Sequence, residues 1–595
     1  MEIINYDLTK LYPSFDSPEF QNDLQKLADI LQTYKEYIDK NCRDYDNFET
    51  KLKTLIKFDE DLSFLIEKIY PFISLTRSAD TTNEDANKYM AKVQMLLAEA
   101  SPSSAKATKY IGKYEYLDEL MDREEYAEYR FYLYELKNKA KHQLSDEQEE
   151  IISKMRQTGS SAWSQLQSLL TSKLEVQVIL NDEVKTYTIT EIGNLLHSPD
   201  PETRKAAYLG MQEAYQKIDD SIAMCLSSIK GEVNFVARLR GYQDALEESL
   251  DKSRTSKQTL DAMLQAMYEY LPYFRKYLRR KAEILGRDNG LPVFDLYAPI
   301  GKLTKTFTYE EAQAFIIKNF ATFSDKLAQL AKKAFDNNWI DVYPRKGKVG
   351  GAFCYNIRPI KESRILTNFN GNLSDVITIA HELGHAYHGE CIFENNILSS
   401  HYPMPVAETA STFCETIVMN AIINEATDEE KLALIESELQ DHTAIICDIL
   451  SRFIFEKEVF ERRLDHPLNS KELQDIMREA VKQSYGDGLD HNYINAFAWL
   501  NKPHYYSAGL SFYNWPYAFG LLFAKGLYAQ YLNDKEGFVK HYDDILRATG
   551  KMNVEDVAKQ AGIDVTDVNF WRSSLELIKK NIELFLELTD KTVKH

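Results

Sequence analysis

The chain has 595 residues, 44% hydrophobic and 27% charged, a composition that excludes disordered and membrane-embedded classes and a length that exceeds a single core. A formal net charge of -20 repels nucleic-acid phosphates and anionic lipid, so neither nucleic acid nor membrane is an expected partner. Six cysteines, at 42, 225, 354, 391, 414 and 447, form no CxxC pair and read as reduced thiols. The first residues, MEIINYDLTKLYPSF, lack the basic and apolar regions of an export signal, and a cytoplasmic location is expected.

From Ser17 to Thr171 the pattern is helical, with Leu24, Leu27, Ile30 and Leu31 recurring on one face. Residues 174–190 alternate apolar and polar side chains around Asn181-Asp182 and predict a hairpin. Asp200 and Pro201 then suit the cap and first turn of a long helix. These signals suggest an N-terminal helical region over 1–200 and a catalytic part over 201–595. Residues 286–302, rich in Gly and Pro, read as an irregular connection. Residues 343–372 predict a small sheet with a mobile loop at Gly347, Gly350 and Gly351. Ser374 or Asp375 is placed to cap the next helix, and helical patterns dominate from there on.

That next helix carries HELGH. His381 and His385 are four apart and present both imidazoles on one helical face, while Glu382 projects about 100° round from the first. The spacing predicts two zinc ligands and a base for the water. A catalytic zinc needs a third protein ligand and an open position. Glu408, 23 positions after His385 and opening the helical run ETASTFCETIVMNAII, is the preferred third ligand. A three-histidine site would need glycine and histidine where His388 and Cys391 stand, so His388 is read as structural. Glu415, two turns after Glu408, is the expected acceptor for the second ring N–H of a zinc histidine, with Ser411 on the same face a lesser candidate. One Zn2+ per chain would acidify its water and polarise a peptide carbonyl, leaving Glu382 to take the proton and pass it to the leaving amine.

HELGHAYH at 381–388 followed by ETASTFCE at 408–415 resembles the thimet-oligopeptidase-like zinc peptidases, and the likeness extends through FDLYAP, GAFCYNI and HYYSAGLSFYNWPYAFG. The resemblance implies a mainly α, two-lobed helical peptidase with a deep substrate channel and a small β-sheet beside the zinc-binding helix. It implies an endopeptidase for short, unstructured peptides, with His381, His385 and Glu408 as ligands, Glu382 as base and Glu415 in support. It also implies that His504 contacts substrate and that Tyr513 donates to the oxyanion, with Tyr506 and Tyr517 as alternatives or further peptide contacts. Gly350, Ala352 and Phe353 are expected to pair, as a strand edge, with the extended peptide. Two other readings stay open: a related zinc carboxypeptidase or dipeptidyl-carboxypeptidase, with Arg345, Lys346, Lys348 and Lys502 available for a terminal carboxylate, and a non-catalytic peptide-binding protein.

Overall fold

A computed structural model describes residues 4–180, 182–301 and 305–593. The chain is mainly helical with little sheet, as its pattern predicts. It divides into two compact units, each assembled from three separate stretches. The first comprises Met1–Gln143, Lys305–Ile422 and Gln530–Ile563; the second comprises Leu144–Thr304, Ile423–Ala529 and Asp564–His595. Residue 200 therefore lies within the second unit. Five strands occur among the described residues: β1 (Glu175–Leu180), β2 (Glu183–Thr188), β3 (Ile340–Asp341), β4 (Phe353–Ile357) and β5 (Glu362–Leu366).

The first unit begins with helices Pro18–Asn41, Phe48–Ala79 and Glu84–Gly112. Ser17 caps the first by accepting from the Phe20 N–H, with Pro18 in the first turn, where its missing donor costs nothing. Leu24, Leu27 and Leu31 are buried and Ile30 is packed at the edge of the same core. Tyr12, Phe15, Phe20, Phe72 and Tyr89 interlock there, mostly edge to face. Ile357 and Leu366 join this core, which seats the small sheet on the helices.

That sheet has the order β3-β5-β4, with β3 parallel and β4 antiparallel to β5. β4 is therefore an edge strand. The loop before it, expected to be mobile, is instead braced. Asp341 is buried at the end of β3 and accepts from Arg345 at 2.6 Å and from Lys348 at 2.8 Å, and the Lys348 side chain is itself fully buried. The Gly347 carbonyl accepts from the Thr81 N–H, the Val349 N–H donates to Ser78, and Asn368 donates to the carbonyls of Val349 and Gly351. Glycine supplied the loop signal, but one buried and one half-buried cation in ordinary polar positions decide its conformation.

In the second unit β1 and β2 form the expected antiparallel hairpin, in register from Glu175↔Thr188 to Leu180↔Glu183. Asn181, expected in its turn, lies outside the described residues, as does Lys302 of the expected irregular connection. Val176 and Val178 are buried, and Asp200 caps the helix Pro201–Gln216 as its sequence predicts. Gly210 allows that helix onto β1: a Cβ there would lie 2.4 Å from the Gln177 carbonyl oxygen. Buried charges in this unit are paired, as in Lys230 with Glu456 at 2.7 Å and Arg204 with Asp295 at 2.8 Å. No helix among the described residues is long and apolar enough to cross a membrane.

The brace around Asp341 generates a stability test. Asp341→Ala strands the buried Lys348 ammonium and removes an Arg345 partner, an expected loss of about 3–5 kcal/mol. A thermal midpoint within a degree of wild type would contradict this account.

Candidate active site

HELGH lies on the helix Leu373–Ile392. Its cap differs from the expectation of Ser374 or Asp375: Asn372 occupies the N-cap and accepts from the Asp375 N–H at 2.9 Å, while Asp375 accepts from the Asn372 N–H at 3.2 Å. Asp375 thus takes the reciprocal place three positions in, where its charge also meets the positive end of the helix dipole. Behind the helix, Tyr387 donates to Asp543 at 2.5 Å and His388 lies 2.8 Å from the Thr549 hydroxyl. His388 is fully buried and stacks on Tyr402, a structural role as expected.

Glu408 sits at the junction between a single turn, Met404–Ala407, and the helix Thr409–Glu425. Gly384 lets that second helix come close. A Cβ on Gly384 would lie 2.5 Å from the Ala410 carbonyl oxygen and 2.6 Å from the Ser411 Cα, closer than any side chain tolerates. Across this crossing, Glu408 Oε2 lies 3.2 Å from His381 Nε2 and 3.3 Å from His385 Nε2. Ligands about 2.0–2.2 Å from a tetrahedral zinc stand roughly 3.3–3.5 Å apart, so this spacing and this donor chemistry fit the ion. The three side chains are 18 to 29% exposed, which leaves the open side that a catalytic metal needs.

The supporting groups set direction and charge. His381 Nδ1 lies 3.2 Å from Glu415 Oε2; donation of its N–H there leaves the Nε2 lone pair facing Glu408 and the metal position. Ser411 Oγ donates to Glu408 Oε2 at 2.6 Å, a stronger tie than its sequence position suggested. Burial lowers the His381 imidazole, but hydrogen bonds and charge from Glu408 and Glu415 outweigh it and push it up to about 10. Burial raises the Glu408 carboxyl, yet hydrogen bonds from both imidazoles hold it well below the usual carboxylate range. The pocket thus favours positive charge at its centre. Glu382 is 5% exposed, and its Oε2 has no hydrogen-bond partner among the described residues. Burial raises its carboxyl against the lowering effect of both histidines.

The remaining candidates separate. Gly350 is exposed, with open space where a side chain would project, and Ala352 and Phe353 lead into and begin the edge strand β4. Arg345 and Lys348 are committed to Asp341, which removes both from the residues available for a terminal carboxylate. In the second unit, the ring of His504 lies 5.0 Å from that of Tyr513 and 6.4 Å from that of Tyr517, with Tyr513 and Tyr517 perpendicular at 5.8 Å. All three are half-buried. Phe512 holds a left-handed φ of 54°, strained for a side-chain-bearing residue, and is anchored between Phe453 and Phe460. That strained, buried neighbour turns Tyr513 towards His504. Burial, with Arg452 and Lys502 nearby, lowers the His504 imidazole. Tyr506, by contrast, is 1% exposed and donates to the Trp499 carbonyl at 3.1 Å, which places it in the core.

A family model described as Peptidase family M3 matches residues 194–577, and one described as Oligopeptidase F matches 113–175. The chain belongs to peptidase family M3. It is a metalloendopeptidase. Oligopeptidase PepF of Bacillus subtilis is 25% identical to it, over 99% of this chain and 88% of that one. The chromosomal oligoendopeptidase F of Lactococcus lactis subsp. cremoris is 26% identical, over 100% of this chain and 98% of its own. The crystal structure of oligoendopeptidase-F from Enterococcus faecium shares the fold, with a TM-score of 0.69 at 21% identity over 96% of this chain and 99% of that one. A Chlamydophila abortus structure reaches 0.85 at 21% identity over 98% of both chains.

Two tests follow from this M3 site. Glu415→Gln leaves the three ligands in place but weakens the hold on His381, and its metal affinity, read by chelator competition, is expected to fall about 10–100-fold. Gly384→Ala forces the two helices apart and is expected to lower bound metal per chain and thermal stability together; a fully loaded variant of wild-type stability would refute the crossing constraint.

Proposed function

We propose that this M3 peptidase is a zinc-dependent endopeptidase that hydrolyses peptide bonds in short oligopeptides with water as the nucleophile. The observation that carries the reading is the convergence of His381, His385 and Glu408 beside Glu382, whose buried Oε2 has no hydrogen-bond partner among the described residues. The names of the oligoendopeptidase relatives support short peptides as substrates. Zinc, when bound, supplies Lewis acidity that acidifies water and polarises a carbonyl. Glu382 accepts the water's proton as the oxygen bonds to the carbonyl carbon, then returns it to the nitrogen as the C–N bond breaks, so no acyl-enzyme forms. Glu415 and Ser411 hold His381 and Glu408 in their ligating orientations throughout.

His504 is the proposed peptide contact and Tyr513 the donor to the developing oxyanion, with Tyr517 beside them. The family match over their segment and their mutual clustering support these roles. Gly350, Ala352 and Phe353 are proposed to align the extended peptide along the edge of β4, where backbone pairing accepts many sequences. Unpaired thiols at all six cysteines favour a reducing compartment, the cytoplasm, as the place of action. The charge of -20 disfavours nucleic acid as a partner.

The test is cleavage of an internally quenched peptide blocked at both ends. Glu382→Gln is expected to lose roughly 10²–10⁴-fold in kcat with metal content unchanged. Tyr513→Phe is expected to lose about 10²–10³-fold in kcat with little change in KM. An active Glu382→Gln enzyme would sink the assignment of the base; trimming of free peptides without cleavage of the blocked one would turn the reading to an exopeptidase.

A further inference from the structure

Asn356 is a half-buried polar residue within an edge strand, and its carboxamide bonds to the helix that carries His381 and His385. Its Nδ2 donates to the backbone carbonyl of His385 at 3.2 Å. In a helix that carbonyl also receives the N–H four residues on, from Gly389, so the asparagine uses its second lone pair. Gly389 makes room for this: a Cβ there would lie 2.4 Å from both Cγ and Oδ1 of Asn356. The carboxamide thus occupies the space that a side chain on the metal helix would fill. Its orientation is determined from the other end, because the buried Ser363 hydroxyl donates to Oδ1 at 2.7 Å. Ser363 is also the cross-strand partner of Asn356 in the β4–β5 register.

A second tie lies two residues on. The Arg358 guanidinium donates to the carbonyls of Ile392, Phe393 and Asn395, at and just beyond the end of the metal-site helix, where the Ile392 carbonyl also accepts from the Asn395 N–H. The opposite face of β4 is equally constrained, with Ile357 buried in the helical core of the first unit and Phe353 and Tyr355 packed against that core. β4 is therefore attached to the metal helix at two heights. Arg358 holds the helix end, whereas Asn356 bonds directly to the peptide unit of a metal ligand.

We propose that Asn356 is a positioning residue, which sets the height of β4 against His385 and so places a peptide lying along β4 relative to the metal and Glu382. This rests on the peptidase reading above, with β4 as the peptide-pairing edge. The required precision is high, since a displacement of about 1 Å between reacting atoms costs on the order of 10²-fold in rate. Asn356 touches neither substrate nor reacting atoms; it acts through the strand. The carboxamide is suited to this because it donates to one element while accepting from another, which a carboxylate cannot do.

Asn356→Asp keeps the shape and the acceptor for Ser363 but cannot donate to the His385 carbonyl. It is expected to reduce kcat on the blocked quenched peptide about 10–100-fold, with KM within about threefold and metal content and thermal midpoint close to wild type. Ser363→Ala frees the carboxamide and is expected to give a smaller loss of the same kind, with no further loss when combined with Asn356→Asp, as groups in one chain of hydrogen bonds do not add. Unchanged kcat in fully loaded Asn356→Asp overturns the proposal. So does a loss that tracks metal content or unfolding in both single variants, which would make the residue merely structural. If wild type leaves the peptide intact, the peptidase reading itself fails, a result distinct from an active wild type with an indifferent Asn356→Asp.

Discussion

The close crossing of two helices at Gly384 is the constraint on which the site depends. His381 and His385 are presented by one helix and Glu408 by the start of the next, and only a crossing too tight for a Cβ brings the carboxylate within 3.3 Å of both imidazoles. A methyl group at residue 384 would act as a wedge at the one place where the ligand sets meet. The glycine inside HELGH therefore shapes the candidate metal site although it offers no ligand atom.

Around that crossing the protein spends buried polar interactions on holding direction. Asn372 and Asp375 determine where the HELGH helix begins, Arg358 donates to the carbonyls at and just beyond its end, and Tyr387 and His388 anchor its back. Asp341 does the same for the sheet by gathering Arg345 and Lys348 under the glycine-bearing loop. Buried charges gain little net stability over well-packed apolar groups, but they are directional. A hydrolytic site needs that directionality, because its groups must face positions where charge develops only as the bond breaks.

The clustering of the candidate metal residues was legible because it obeys local helical periodicity: HExxH places two imidazoles on one face and a glutamate beside them, and Glu408 and Glu415 share a face two turns apart. The hairpin and the Asp200-Pro201 helix start were legible for the same reason, since strand alternation and capping act over a few residues. Ser411 was underweighted because a serine three positions from a glutamate is common; only its hydrogen bond to the Glu408 carboxylate, seen in the structure, makes it matter. The burial of Tyr506 was not legible because aromatic residues beside a histidine look alike in sequence, whether they are half-buried like Tyr513 or fill a core.

The sequence by itself determined the mainly helical class and pointed to His381, His385 and Glu408, with Glu382 beside them, as a candidate metal site, all consequences of side-chain chemistry at fixed short spacing. Tertiary structure alone decided what depends on encounters between distant segments: two units each assembled from three stretches, Asp341 gathering its cations, and Asn356 bonding across 29 positions to His385. The physical reason is that local backbone geometry repeats every few residues and can be read along the chain. The orientation of a buried polar group depends on which partner folding brings within about 3 Å, and no local pattern records that.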